Sequence, residues 1–157
     1  MNHFEILESI HPDVDVKHVI YPSNHWGGCC IGNDVYINDY LSQPERYEAL
    51  QEEIAHHDYT VGNIVKENTH SDRQQEKMAR SIAMERAVPL DGLIYCYQHN
   101  LWEADEIADY FGVTVKYLYK ALDNYREKRG LQFSYHNYSF NLTNGLKLCP
   151  NPDDIKS

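Results

Sequence analysis

Apolar positions recur along this chain with two different periods, and the change from one to the other divides it into segments. Between residues 3 and 10, Phe4, Ile6, Leu7 and Ile10 can share one broad helical face before Pro12 closes the run, which predicts a short helix. The stretch VDVKHVI from Val14 to Ile20 alternates with period two until Tyr21-Pro22 and Gly27-Gly28 interrupt it. CCIGNDVYIN then reads as two short strands joined by Gly32-Asn33, a two-residue hairpin signal. A small antiparallel sheet is the economical expectation for this region.

Helical spacing takes over at Pro44-Glu45, with Ser42 as a cap, and runs through YEALQEEIAHH to about residue 59. A polar loop is expected from about 60 to 71, followed by a helix capped by Ser71 or Asp72, DRQQEKMARSIAMERAV, that Pro89 stops. Further helices are expected over about 90–98, 102–111 and 115–128. The text LQFSYHNYSFNL reads as a strand pair and NPDDIKS as a loose tail. The expected fold class is α+β, one domain over 1–157. Its parts are a core of about 1–89, a helical region of about 90–130, and the strand pair with tail over 131–157.

Composition narrows the function. With 157 residues, 42% of them hydrophobic, the chain can bury one real core. It holds no apolar run of about 18 residues such as a membrane span needs, and MNHFEILESI lacks the basic and apolar regions of a secretory signal. A cytoplasmic protein with no membrane partner is expected. Cys29, Cys30, Cys96 and Cys149 are too irregularly spaced for a metal knuckle, and reduced thiols fit a reducing compartment. A net charge of −10 weighs against a nucleic-acid partner, because phosphate neutralisation needs a basic surface.

Chemistry concentrates in Glu52-Glu53-Ile54-Ala55-His56-His57. Residues four apart on a helix stand one turn above each other, so Glu52 and His56 can clamp one ion. At about 100° per residue they lie off the stripe formed by Tyr47, Leu50 and Ile54. Glu53 has the offset of the general base in HExxH. His57 falls beside Leu50 and reads better as a packed histidine, although a register using Glu53 and His57 as ligands also exists. In the next helix Glu76 leads a strip of Ala79, Ala83 and Ala87, small residues that would let two helices approach closely and bring in Glu76 as a third ligand. Arg80, one turn beyond Glu76, reads as its i,i+4 ion-pair partner. His70, in the loop before that helix, could approach the site.

These two helices together resemble the ImmA/IrrE family of metallo-endopeptidases. The family motif H-E-L-G-H, in its variant E-E-L-G-H-H, is matched by Glu52-Glu53-Ile54-Ala55-His56-His57. The second motif, E-x-x-A-x-x-F-A followed by a proline, is matched by Glu76, Ala79, Ile82, Ala83 and Pro89, with Ile82 in place of the aromatic. The resemblance covers about residues 14 to 130. It implies a zincin-like helical core, with Glu53 as the catalytic carboxylate and Glu52, His56 and Glu76 as metal ligands. Glu52 stands where the family usually has a histidine, which makes the site harder and more acidic. The implied cofactor is a divalent metal, zinc with manganese or iron as competitors. The implied substrate is a specific protein, a phage or mobile-element helix-turn-helix repressor. The alternative is a non-catalytic pseudopeptidase that regulates such a protein by binding.

Residues 101–128 have the cadence of a helix-turn-helix, with Ala108 in the first helix, Gly112 at the turn, and Val113, Val115 and Leu118 entering the second. Glu103, Asp105, Glu106 and Asp109 would repel phosphate, so a structural pair packed on the core is expected rather than a DNA reader. Tyr117, Tyr119 and Tyr125 could offer a protein-docking surface.

Overall fold

Helix α1, His3–Ser9, starts on a reciprocal cap: Asn2 Oδ1 accepts the Glu5 N–H at 2.8 Å and Glu5 Oε1 accepts the Asn2 N–H at 3.3 Å. Of its expected apolar face, Phe4 and Leu7 are buried while Ile6 and Ile10 are exposed. The computed structural model describes residues 1–66 and 72–151. After α1 come β1 (Asp15–Val19), β2 (Gly28–Ile31), β3 (Asp34–Asn38), α2 (Gln43–Lys66), α3 (Asp72–Ala87), α4 (Leu90–Gln98), α5 (Ala104–Phe111), α6 (Val115–Arg129), β4 (Gln132–Tyr135), β5 (Tyr138–Asn141) and β6 (Lys147–Pro150). The fold is a small α+β arrangement with two three-stranded sheets.

The first sheet is mixed, where an antiparallel one was expected. Its order is β1-β3-β2: the β2–β3 hairpin is antiparallel, with Ile31 opposite Asp34 across Gly32-Asn33, but β1 runs parallel to β3. Alternation reports which side chains share a face and is silent on strand direction. Asn38 fixes the crossing. Wholly buried, its amide nitrogen lies 3.0, 2.9 and 2.8 Å from the carbonyls of Tyr21, Ser23 and Trp26, and its oxygen accepts the Tyr21 N–H. Those bonds hold residues 21–26 across the end of β3, so that β2 returns on the far side. Gly28 is required there, since a Cβ would stand 2.3 Å from the Tyr36 carbonyl oxygen.

Helix α2 begins where the proline predicts. Ser42 Oγ accepts the Glu45 N–H at 3.4 Å, and Glu45 returns the contact to the Ser42 N–H at 3.2 Å. Tyr47, Leu50 and Ile54 are buried in one cluster with Val35 and Ile37 of β3, each such side chain contributing about 1.5–3 kcal/mol. The helix continues to Lys66, through the first half of the segment expected to be loop. No proline interrupts it, and one interior glycine costs only about 1 kcal/mol. The rest of that expected loop, with the Ser71 cap and His70, lies outside the described residues.

Helix α5 starts two residues later than expected, on Glu103, and leaves Trp102 exposed. Gly112 closes it in the left-handed region at φ 74°, with the His3 ring against its Cα: an added Cβ would lie 2.5 Å from that ring. Thr114 then caps α6, its hydroxyl accepting the Tyr117 N–H, while Glu48 of α2 accepts the Thr114 N–H at 2.7 Å. The C-terminal sheet has three strands where two were expected. Lys147–Pro150 adds antiparallel to β5, and Phe140 and Leu142 enter the main core. A four-residue strand ending in proline is too short to announce itself by alternation. No helix among the described residues is long and apolar enough to cross a membrane, and all four cysteines are free.

Candidate functional site

The α2–α3 seam is built from the smallest side chains available. Ala55, Ala79 and Ala83 are fully buried against one another with Ile82 alongside. This is the strip the sequence marks, except that Ala87 belongs to the main core. Without bulk between them the two helices come close enough for polar groups at the edge of the seam to meet. His56 Nε2 lies 3.0 Å from Glu76 Oε2, and the other Glu76 oxygen lies 3.5 Å from Arg80 in the expected i,i+4 pair.

Glu52 and Glu53 complete the cluster from α2. Burial holds the Glu52 carboxyl above its ordinary range, and Glu76 pushes the same way, while Arg80, His56 and Lys120 oppose. Glu53 is pushed up to about 7, first by burial and then by Glu52 and Glu76, with His56 opposing. On its other side Glu53 faces β2, where burial first and Glu53 second raise the Cys30 thiol to about 11. Cys29 is raised for the same two reasons. Both thiols therefore stay protonated near neutral pH in the metal-free chain.

Glu76 thus meets His56 while Glu52 and Glu53 act on the pair electrostatically, and Glu52 and Glu76 border a cleft of about 970 Å³ together with Arg80, Tyr117, Lys120 and Asn124. Like charges gathered at a partly desolvated place call for a cation. His56 and Glu76 are the pair in contact; Glu52, His56 and Glu76 do not bring three ligand atoms within 4.8 Å of one another, so the sequence-predicted ligand set is only partly assembled.

His57 faces elsewhere. It is 7% exposed, its Nε2 lies 2.8 Å from Asn33 Oδ1, and its Nδ1 lies 3.6 Å from Asp13 and 3.5 Å from Asp58. Among the described residues Asp13, His57 and Asp58 are the group whose ligand atoms lie within 4.8 Å of one another, so an ion could sit there. Arg86 already pairs with Asp58 at 2.8 Å, and Asn33 occupies the other ring nitrogen. The group is therefore satisfied as it stands, as an ion-pair network fastening α2 to α3 and to the β2–β3 turn. Glu53 and His57 keep different company, so the register that pairs them as ligands is not assembled. His99 stacks on Tyr95 and bonds its carbonyl, far in sequence and partners from the cluster.

The sequence reading missed the α6 side of the cleft. Tyr117 and Tyr125 are 5% and 3% exposed, so of the three tyrosines proposed for docking only Tyr119, at 51%, presents a surface. Tyr117 and Asn124 stand seven apart, two turns along one helix face, and that spacing was the available signal. Asn33 and Asp13 come from separate segments and carried none.

Among known families, the model described as IrrE N-terminal-like domain, Peptidase M78, matches residues 9–123. Neither a curated protein nor a solved structure matches the chain.

Proposed function

This chain belongs to the Peptidase M78 family through its IrrE N-terminal-like domain, and we propose that it is a metal-dependent endopeptidase whose site is the Glu52, Glu53, His56 and Glu76 cluster. Family membership points to metal-dependent proteolysis; the residue assignment rests on the 3.0 Å approach of His56 to Glu76 across the alanine seam. Glu52, His56 and Glu76 would hold a divalent ion, zinc before manganese or iron, in a zincin-like core. Such an ion supplies Lewis-acid polarisation of the scissile carbonyl. Arg80 holds Glu76 in place through its second oxygen. Glu53, one residue after the first proposed ligand, accepts the proton of the attacking water and returns it to the leaving amine. Among the described residues the β2 edge of the first sheet pairs with no strand on its outer side, and it runs past Glu53, so an extended substrate could align there by main-chain hydrogen bonds.

The substrate we favour is a specific protein in the cytoplasm, a helix-turn-helix repressor of a phage or mobile element. Helix α6, the second of the helix-turn-helix-like pair, serves as a wall of the cleft. One observation favours a second reading, in which the chain binds its partner without cutting it: burial holds Glu52 toward the protonated form, which weakens it as a ligand.

Metal analysis separates the two. Wild-type protein purified without a histidine tag should carry about one divalent ion per chain, lost in His56→Ala and Glu76→Ala. Glu53→Gln should keep the metal and lose cleavage of the partner by at least about a hundredfold. A metal-free protein that still binds its partner would establish the second reading instead.

A further inference from the structure

Arg86 and Asn33 satisfy the outer atoms of the Asp13, His57 and Asp58 group and leave its inner side to acceptors alone. Asn33 Oδ1 can only accept, so the 2.8 Å contact assigns the ring proton to His57 Nε2, which donates to it. Nδ1 then presents a lone pair, and it faces Asp13 Oδ2 at 3.6 Å and Asp58 Oδ1 at 3.5 Å. Arg86 takes the other Asp58 oxygen, Oδ2, at 2.8 Å and leaves Oδ1 to the ring. A second proton on the ring would be the bland way to fill the gap. Charge-assisted N–H to carboxylate bonds close to about 2.7–2.9 Å, however, and neither contact does. Donors that share one ion at about 2.1 Å stand about 3.0–3.4 Å apart, as edges of an octahedron or a tetrahedron. The observed separations lie near those edges, all three ligand atoms fall within 4.8 Å of one another, and Asp13, 55% exposed, has room to close the remainder.

We propose that Asp13, His57 and Asp58 form a binding site for a divalent first-row metal ion, separate from the Glu52, Glu53, His56 and Glu76 cluster. An imidazole among the donors selects zinc and its neighbours over magnesium or calcium, which take oxygen ligands. The surroundings are those of a supported ligand set: the histidine is 7% exposed and gives its other N–H to a side-chain oxygen, and Asp58 is held by Arg86 through the oxygen that the ion does not use. The two carboxylates reach solvent, so water fills the remaining positions. The ion ties the segment ahead of β1 to α2 and, through Asn33 and Arg86, to the β2–β3 turn and α3; its role is structural. With two of its three ligands at the surface it exchanges readily and leaves on dialysis, so it is not the ion retained through purification.

The test uses the full chain carrying His56→Ala and Glu76→Ala, so that the cluster no longer supplies that pair. Isothermal titration with zinc chloride should find one ion per chain, and adding Asp13→Asn or Asp58→Asn should each weaken it at least about tenfold. Dialysed wild-type protein should take up one zinc ion more than its Asp13→Asn variant, a comparison that holds even where the double variant does not fold. With histidine labelled at the ring nitrogens, two-bond proton–nitrogen correlation spectra should show the His57 proton on Nε2 before zinc is added. Its Nδ1 resonance should then shift on titration while Nε2 keeps its proton. A metal-free His57 protonated on both nitrogens, or an Nδ1 that ignores zinc, would overturn the proposal. So would no uptake at millimolar zinc, or uptake that both asparagine variants leave unchanged. Failure of the peptidase reading appears separately, as wild-type protein that retains no ion through purification and still takes up this one.

Discussion

Single residues in this protein carry opposing electrostatic duties, and Glu48 shows how the balance can be measured. Its carboxylate accepts the Thr114 N–H at 2.7 Å, which favours the charged form, yet burial outweighs that bond and leaves its acidity raised above the ordinary carboxylate value of 4.5. The folded chain therefore binds this proton more tightly than the unfolded chain does. The stability it contributes is complete below the unfolded value and is lost as the pH climbs through the folded one. Glu48→Gln keeps an acceptor for Thr114 and removes the titration. Urea unfolding of the metal-free protein should show the variant gaining on wild type as the pH is raised from 4 to 8. A gain that is constant or shrinks with pH would mean that the Thr114 bond dominates.

At the scale of elements, the site depends on how closely α2 and α3 approach. Ala83→Leu would force extra methylenes into a fully buried seam and should cost about 1–3 kcal/mol of stability. Its sharper effect should be on His56 and Glu76, whose 3.0 Å contact requires the present spacing. Metal affinity should fall far more than in Met84→Leu, a volume-conserving change outside the seam, with isothermal titration as the measure. The seam also shows what the sequence could convey. Glu52 and His56 one turn apart, Glu76 leading an alanine strip, and Arg80 one turn beyond are all relations within a helix, and periodicity reveals those directly. The helix start at Ser42 was legible for the same reason, since caps are local. The direction of β1 was hidden because it is set by Asn38 bonding carbonyls 12 to 17 residues away. The α6 wall was hidden because nothing in a basic, tyrosine-rich helix says which of its faces a cleft will claim. His57 lies in between: its packed character followed from its angle on α2, but its partners Asn33 and Asp13 come from loops that no periodicity connects.

Over the whole molecule, one cluster of buried side chains runs from Phe4 and Leu7 in α1, through Val35 and Ile37 in β3 and Leu50 and Ile54 in α2, to Leu118 and Leu122 in α6 and Phe140 and Leu142 at the C-terminal sheet. Backbone and side-chain bonds cross the same boundaries: Tyr125 donates to the Val88 carbonyl at 2.7 Å, and Arg126 Nε to the Leu142 carbonyl at 2.7 Å. We therefore propose that residues 1–151 unfold as one cooperative unit, although the family match ends at residue 123. Phe140 is 1% exposed and stacks on Phe133 at 5.0 Å, so Phe140→Ala should cost about 3–5 kcal/mol. In a cooperative molecule that loss is felt everywhere. Hydrogen exchange at the amides of Leu50 and Ile54 in α2 should accelerate by the same free energy as exchange at Phe140, and circular dichroism and tryptophan fluorescence should give one shared urea midpoint. Faster exchange confined to 132–150, with α2 protected as in wild type, would instead make the second sheet a separable appendage. In that case truncation after Gly130 should leave metal binding at His56 and Glu76 intact; under the cooperative reading it abolishes folding and metal binding together.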